Sequence, residues 1–174
     1  DAGIPALRSL NVRENYISNE NFVYFDKKVH EQKLKKTHVY EGDVVIVRSG
    51  QPGRSSVIPK KFDGANAIDI LITRPNSDLL NSFYFSFFLN SEGGKQLVLS
   101  NEKGQVQKHL NVGELSRALI PVPPITLQNE FEGSLNKLAV QMRLNKDLLT
   151  NCDDNFNSLM QRAFKGELDL KDVA

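Results

Sequence analysis

The clearest pattern in the chain is a 3-4 spacing of apolar positions over its last third. Leu135, Leu138, Met142, Leu149, Cys152, Phe156, Leu159 and Ala163 follow it, with one polar break at Asn145. Side chains three and four residues apart share one face of a helix, so the spacing predicts a helix over Leu127 to Lys165 with a heptad seam of about four repeats. Thr126 suits its N-cap, and Glu130 and Glu132 suit the positive end of its dipole. Arg162 and Lys165 suit the negative end, and Gly166 a C-terminal stop. Gly133 weakens the early turns by about 1 kcal/mol. Such a helix is roughly 58 Å long, more than the width of a small domain. Its wet apolar seam predicts a partner helix, with Asn145 helping to fix register.

The preceding residues show no such period. Val44 to Val47 is a short β-branched run and predicts a buried strand. Arg48 to Arg54 is rich in turn residues, and Ser55 to Ile58 can return as a partner strand. Ala67 to Thr73 is a further strand candidate, ended by Arg74-Pro75. Asp78 to Leu89 reads as helical and aromatic, with Gly93-Gly94 marking a stop beyond it. Asn111 and Glu114 resemble a capping box opening a short helical turn. Leu119 to Val122 runs extended into Pro121-Val122-Pro123-Pro124, where three prolines in four residues make a stiff connector. The expected class is therefore α+β: a mixed-strand domain over residues 1–124, followed by one long coiled-coil-type α-helix and a tail over 125–174.

Composition narrows this a little. An apolar content of 40% and a charged content of 25% suit a soluble globular protein rather than a disordered one. No apolar run is long enough for a membrane span, and the single cysteine, Cys152, cannot close an internal disulfide. A cytoplasmic protein is the expectation. The chain opens on Asp1, so missing segments are expected. Its net charge of +1 is uneven: residues 1–124 carry 16 Lys and Arg against 13 Asp and Glu, and residues 125–174 carry 6 against 8. The first region is mildly basic, which permits nucleic-acid binding without demanding it.

The search for chemistry returns little that is catalytic. His30, His38 and His109 lie far apart in sequence, with no His or Cys at metal-ligand spacing, so no metal site is expected. No nucleophile elbow, phosphate loop or dinucleotide fingerprint is present. Asp26 with Glu31, Gln32 and Lys33 superficially matches a nuclease triad, but a solvated charged loop explains it. The aromatic run Phe83, Tyr84, Phe85, Phe87 and Phe88 could stack on bases, though core packing explains it better. The lysines at 27, 28, 33, 35 and 36 suit either phosphate contact or a plain solvated face. The loop from Arg48 to Arg54 carries Ser49, Gln51 and two arginines on a rigid base. Arginine can fork onto guanine and glutamine onto adenine, although a polar hairpin turn has the same look.

Several segments, taken in order, resemble the specificity subunits of type I restriction–modification systems. Gly3-Ile4-Pro5-Ala6-Leu7-Arg8-Ser9-Leu10-Asn11-Val12 is similar to an N-terminal stretch of that family. Gly42-Asp43-Val44-Val45-Ile46-Val47-Arg48-Ser49-Gly50 is similar to its Gly-Asp-apolar-Arg-Ser-Gly segment. Gly104 to Asn111, Leu115, Ile120-Pro121-Val122-Pro123-Pro124 and Gln128 resemble its later signature, and Leu159 to Leu168 its second conserved helix. Two departures stand out: Lys108-His109 replaces a frequent proline-asparagine, and the absence of Trp suggests that the N-terminal edge of the domain is trimmed.

The resemblance implies a target-recognition domain with a spacer helix, one half of a subunit and the C-terminal one. It implies no catalytic residue of its own. S-adenosylmethionine and ATP would bind partner subunits, namely a modification (methyltransferase) subunit and a restriction (motor-nuclease) subunit. The DNA-contact candidates are Arg8, Asn11, Arg48, Ser49, Gln51, Arg54, Gln107 and Lys108. Arg8 and Arg48 are alternatively structural, paired to Asp43 or to nearby carbonyls. The seam residues Leu135, Leu138, Met142, Asn145, Leu149, Cys152, Phe156 and Leu159 would meet a second spacer helix, in cis or in a homodimer reading a palindromic split site. A coiled-coil adaptor that never touches DNA is the reading from a different class.

Overall fold

The computed structural model describes residues 3–99, 110 and 112–167. Gln107 and Lys108 lie outside the described residues. Contacts divide the chain into two units, Asp1–Phe131 and Glu132–Ala174.

The first unit is built around two small sheets. In one, β1 (Ile4–Leu7) pairs antiparallel with β4 (Val23–Phe25) and parallel with β7 (Asn66–Ala67). In the other, β5 (Val44–Val47) is central, antiparallel to both β6 (Ser55–Val57) and β8 (Ile70–Thr73). Between β1 and β4 a two-stranded hairpin, β2 (Val12–Arg13) and β3 (Tyr16–Ile17), pairs Arg13 with Tyr16. The mixture of parallel and antiparallel pairs with helices is an α+β architecture, as the pattern predicts.

Strand β5 shows why the sequence run Val-Val-Ile-Val carries no polar residue. Successive side chains of a strand point to opposite faces. Val45 and Val47 enter one core cluster with Leu7, Val39, Ile58 and Phe62. Val44 and Ile46 enter the other with Leu71, Phe85, Leu89 and Leu110. All four are buried. The strand is a wall shared by two cores, which rules out alternation.

Three expectations shift. The predicted strand Ala67 to Thr73 is two strands, β7 and β8, because the chain turns at Asp69, whose φ is 53°. The aromatic helix α2 begins at Ser82, not near Asp78: the Asn81 side chain accepts from Phe83 N and Tyr84 N and caps it, and α2 ends at Asn90. Gly93-Gly94 is not a stop. Both glycines lie inside the next helix, α3 (Glu92–Leu99). A Cβ on Gly94 would lie 1.9 Å from the Phe88 carbonyl oxygen, so glycine is what lets α3 turn back tightly against α2. Val112–Leu115 forms the expected short helical turn, α4.

The long helix, which follows α1 (Lys27–Lys33) and these others as α5, spans Ile125–Phe164. It starts one residue before Thr126, so Thr126 is helical rather than the cap. Leu127 N and Gln128 N donate to the Pro124 carbonyl at 3.0 and 3.3 Å. At the other end Gly166 has φ 72°. Glu167 N donates to Arg162 O and Gly166 N to Ala163 O, the paired bonds of a Schellman stop.

In the second unit the seam is wet. Leu138, Met142, Leu149, Phe156 and Leu159 are between 51% and 64% exposed. Asn145 and Cys152 are exposed as well, and Leu135 is half-buried. A second apolar stripe, Val140, Leu144 and Leu148, runs at four-residue spacing on a different face and is also exposed. Among the described residues, no helix is long and apolar enough to cross a membrane.

Candidate nucleic-acid interface

The turn after β1 is set by Asn11. Its side-chain oxygen accepts from Arg8 N at 2.9 Å, and its amide donates to Glu20 O at 2.7 Å. The residue is fully buried. Both polar ends are therefore spent inside the protein, and Asn11 stands as a positioning residue that shapes the turn rather than as a group facing solvent. Arg8 leaves the same turn half-buried and donates to the Asn21 carbonyl at 2.7 Å. This is the carbonyl pairing considered for it above.

The Arg48–Arg54 loop is braced at its base. Val47 N donates to Arg54 O and Gly53 N to Val47 O, at 2.8 and 3.0 Å. Gly50 and Gly53 adopt φ of 83° and 86°, a region L side chains avoid, and this is what turns the chain back into β6. Arg48 pairs with Asp69 at 3.4 Å. Asp43, its sequence-predicted partner, instead accepts from Arg74 Nε at 3.2 Å and from Tyr40 N at 2.9 Å. Asp43 is fixed on the far end of β5 from Arg48, which explains why it takes the arginine after β8.

The structure brings loop and turn together. Ser9, Leu10, Arg13, Val47, Ser49, Gly50, Gln51 and Arg54 line a concave surface of about 310 Å³. Two arginines from separate segments, Arg13 and Arg54, thus share a cleft with Ser49, Gln51 and the exposed Leu10. Arg13 and the neighbouring exposed Tyr16 carried no sequence signal, and Leu10 stood only within the N-terminal stretch. They are assembled by the β2–β3 hairpin, whose tight turn is possible because Asn15 tolerates φ 64°. The hairpin is tied down by polar contacts: Ser86 Oγ and Asn90 Nδ2 both donate to Asn15 Oδ1, at 3.1 and 2.7 Å. Beside it Lys95 donates to Glu14 at 2.7 Å. That hydrogen bond holds the Glu14 carboxyl below its ordinary range, with burial opposing and the positive charges of Lys95 and Arg54 assisting.

A cavity of similar volume beside β8, lined by Leu71, Leu80, Phe85 and Leu115 among others, is mostly apolar and continues the second core cluster. The aromatic run divides. Phe85 is core, Phe83 is at the surface, and Tyr84 and Phe87 pack edge-on against Phe131 at 6.3 and 5.5 Å. His30 and His38, distant in sequence, stack at 3.9 Å. Among the described residues, no group of three His, Cys, Asp or Glu side chains could hold a metal ion.

A residue singled out only as part of a motif proves central. Gln128 is fully buried, accepts from Asn81 N at 2.8 Å, and donates to Leu79 O at 3.1 Å and Pro123 O at 2.7 Å. It clips the first turns of α5 to the start of α2 and to the proline connector.

No family model matches the chain. The specificity subunit of the type I restriction enzyme EcoBI from Escherichia coli is 20% identical over 171 residues, which cover 95% of this chain and 36% of that protein. The crystal structure of the HsdS subunit from Thermoanaerobacter tengcongensis shares the fold with a TM-score of 0.63 and 16% identity, over 97% of this chain and 44% of that one. A chain from a structural study of the assembly and conformational transition of a type I restriction–modification system aligns with a TM-score of 0.60, at the same identity and coverage. The chain spans about a third to under a half of the length of these relatives. In sequence and in fold alike, it is similar to the specificity subunits of type I restriction–modification systems.

Proposed function

We propose that this chain reads DNA sequence for a type I restriction–modification complex, directing adenine methylation and restriction by partner subunits to one half of a split target. The observation that carries this is the cleft between the Leu10–Arg13 turn and the Ser49–Arg54 loop. It joins forked donors, an amide and an apolar side chain on a braced backbone, the set that reads base edges in a major groove. Arg54, Arg13 and Gln51 face base edges; Ser49 contacts phosphate; Arg8, Arg48 and Asn11 shape the site. The chain itself has no catalytic role. S-adenosylmethionine and ATP bind the modification and restriction subunits, and the complex works in the cytoplasm.

The wet seam of α5 supports a second spacer helix as partner, either in cis from the remainder of the subunit or from a second copy in a homodimer.

The test is a map of methylated adenines in a host expressing the parent subunit with its modification subunit. Replacing residues 3–121 by another recognition domain should change one half of a split motif and leave the other intact. Arg54→Gln should relax one position within that half, by about 1–3 kcal/mol of discrimination. An unchanged map sinks the proposal and leaves the adaptor reading in its place.

A further inference from the structure

The lysines around α1 take no part in the cleft or in the core. Residues 27–36 carry five lysines, Lys27, Lys28, Lys33, Lys35 and Lys36, against one acidic residue, Glu31. Residues 1–124 carry 16 positive and 13 negative side chains, so this segment, at +4, holds more than their whole excess of +3, and the rest is −1. All five lysines are exposed, and neither α1 nor the 3-10 turn Lys35–Thr37 buries a residue. The Lys27–Glu31 pair, at 3.9 Å and largely in water, neutralises little. No acidic residue occupies the first turn of α1, where Lys27 and Lys28 face the unfavourable pole of the helix.

The segment is nevertheless firmly held. Asp26 caps α1 by accepting from Lys28 N and Val29 N. His30 stacks on His38 and meets the amide of Asn66, a fully buried residue of β7. Thr37 Oγ1 donates to Asn66 Oδ1 at 3.0 Å. The lysines therefore stand on a fixed backbone, which lowers the entropy lost on binding a polyanion.

Strand β1 connects this surface to the cleft. Phe25, just before α1, pairs with Ile4, and Arg8 opens the turn at the other end. Four residues of strand span about 13 Å, less than half the roughly 34 Å of one duplex turn. We propose that the Lys27–Lys36 surface binds the phosphate backbone of duplex DNA flanking the bases read by the cleft. It supplies affinity without sequence preference, and the inference rests on the DNA reading of that cleft.

The experiment is a titration of the full 174-residue chain with a labelled DNA duplex between about 50 and about 200 mM salt, for the wild type and a Lys33→Gln/Lys35→Gln/Lys36→Gln variant. Three lost phosphate contacts should flatten the slope of log affinity against log salt by about 2.7, so the wild type loses about 40-fold more affinity across that range. The melting temperature should not move, and neither should the methylation map of the parent complex. A wild type that binds while the variant keeps its slope overturns the lysine inference and leaves the cleft reading standing. A wild type that shows no salt-dependent binding overturns both. An unchanged slope with loss of the modification subunit on co-purification assigns the surface to an acidic protein face instead, and also overturns it.

Discussion

The two units of this chain solve opposite problems. In Asp1–Phe131 the polar residues Asn11, Ser55, Asn66 and Gln128 are fully buried, and each is hydrogen-bonded internally. In Glu132–Ala174 the apolar residues are exposed: Leu138, Leu144, Leu149, Phe156 and Phe164 all face water. Burying a polar group is costly unless it is paired, and exposing a stripe of large apolar groups forgoes the main driving force of folding. The first unit therefore spends its buried polar groups on shape. The second leaves its apolar side chains in water, and the partner helix proposed above would cover them.

Matched truncations should separate the two most strongly. Ile46→Ala, in a strand buried on both faces, should lower stability by about 2–5 kcal/mol. Leu149→Ala, on the exposed seam, should change the unfolding of the isolated chain by less than about 0.5 kcal/mol. Denaturant titration measures both, and equal effects would show that the seam is already covered. Gln128→Ala comes next. It removes the three bonds from Gln128 to Asn81 N, Leu79 O and Pro123 O, for a loss of about 2–4 kcal/mol. Thermal unfolding should report it, and a neutral variant would mean that the Gln128 clip to Leu79, Asn81 and Pro123 is dispensable. Gly94→Ala should cost about 1–3 kcal/mol, because the new methyl meets the Phe88 carbonyl and must push α3 away from α2.

The smallest effect is electrostatic. The Glu14 carboxyl is held below the ordinary carboxylate value, chiefly by the Lys95 hydrogen bond. A depressed carboxylate pKa contributes stability that is present above the ordinary value and is lost as pH falls through the lower folded value. Wild type and Glu14→Gln should therefore differ in melting temperature at neutral pH and converge in acid below that value. The pair is half-exposed, so the difference should be smaller than the effects of Ile46→Ala, Gln128→Ala and Gly94→Ala.

What was legible in the sequence was local. The helix of α5, its glycine stop at Gly166, the apolar strand Val44–Val47, the loop after it and the return at Ser55 all follow from spacing and turn chemistry within a few residues. The same signals misled where a distant partner decided. Gly93-Gly94 reads as a break until α2 is seen packed so close that only glycine fits. Asp69 splits a run that looks like a single strand. His30 and His38 look unrelated until α1 is laid beside the chain that pairs with β7.

The candidate site divides in the same way. The donors of the Arg48–Arg54 loop could be picked out by residue type alone, since a loop anchored on a buried strand is rigid. That Arg13 and Leu10 stand across from Arg54, while Asn11 beside them is turned inward, depends on a hairpin held by Ser86 and Asn90, more than seventy residues away. By itself the sequence determined the class of the fold, the long helix and its unsatisfied seam, because periodicity and capping act over a few residues. Tertiary structure alone decided which arginines share a cleft and which polar groups are spent in holding it. Those choices are made by contacts between segments remote in sequence, whose pairing no local pattern records.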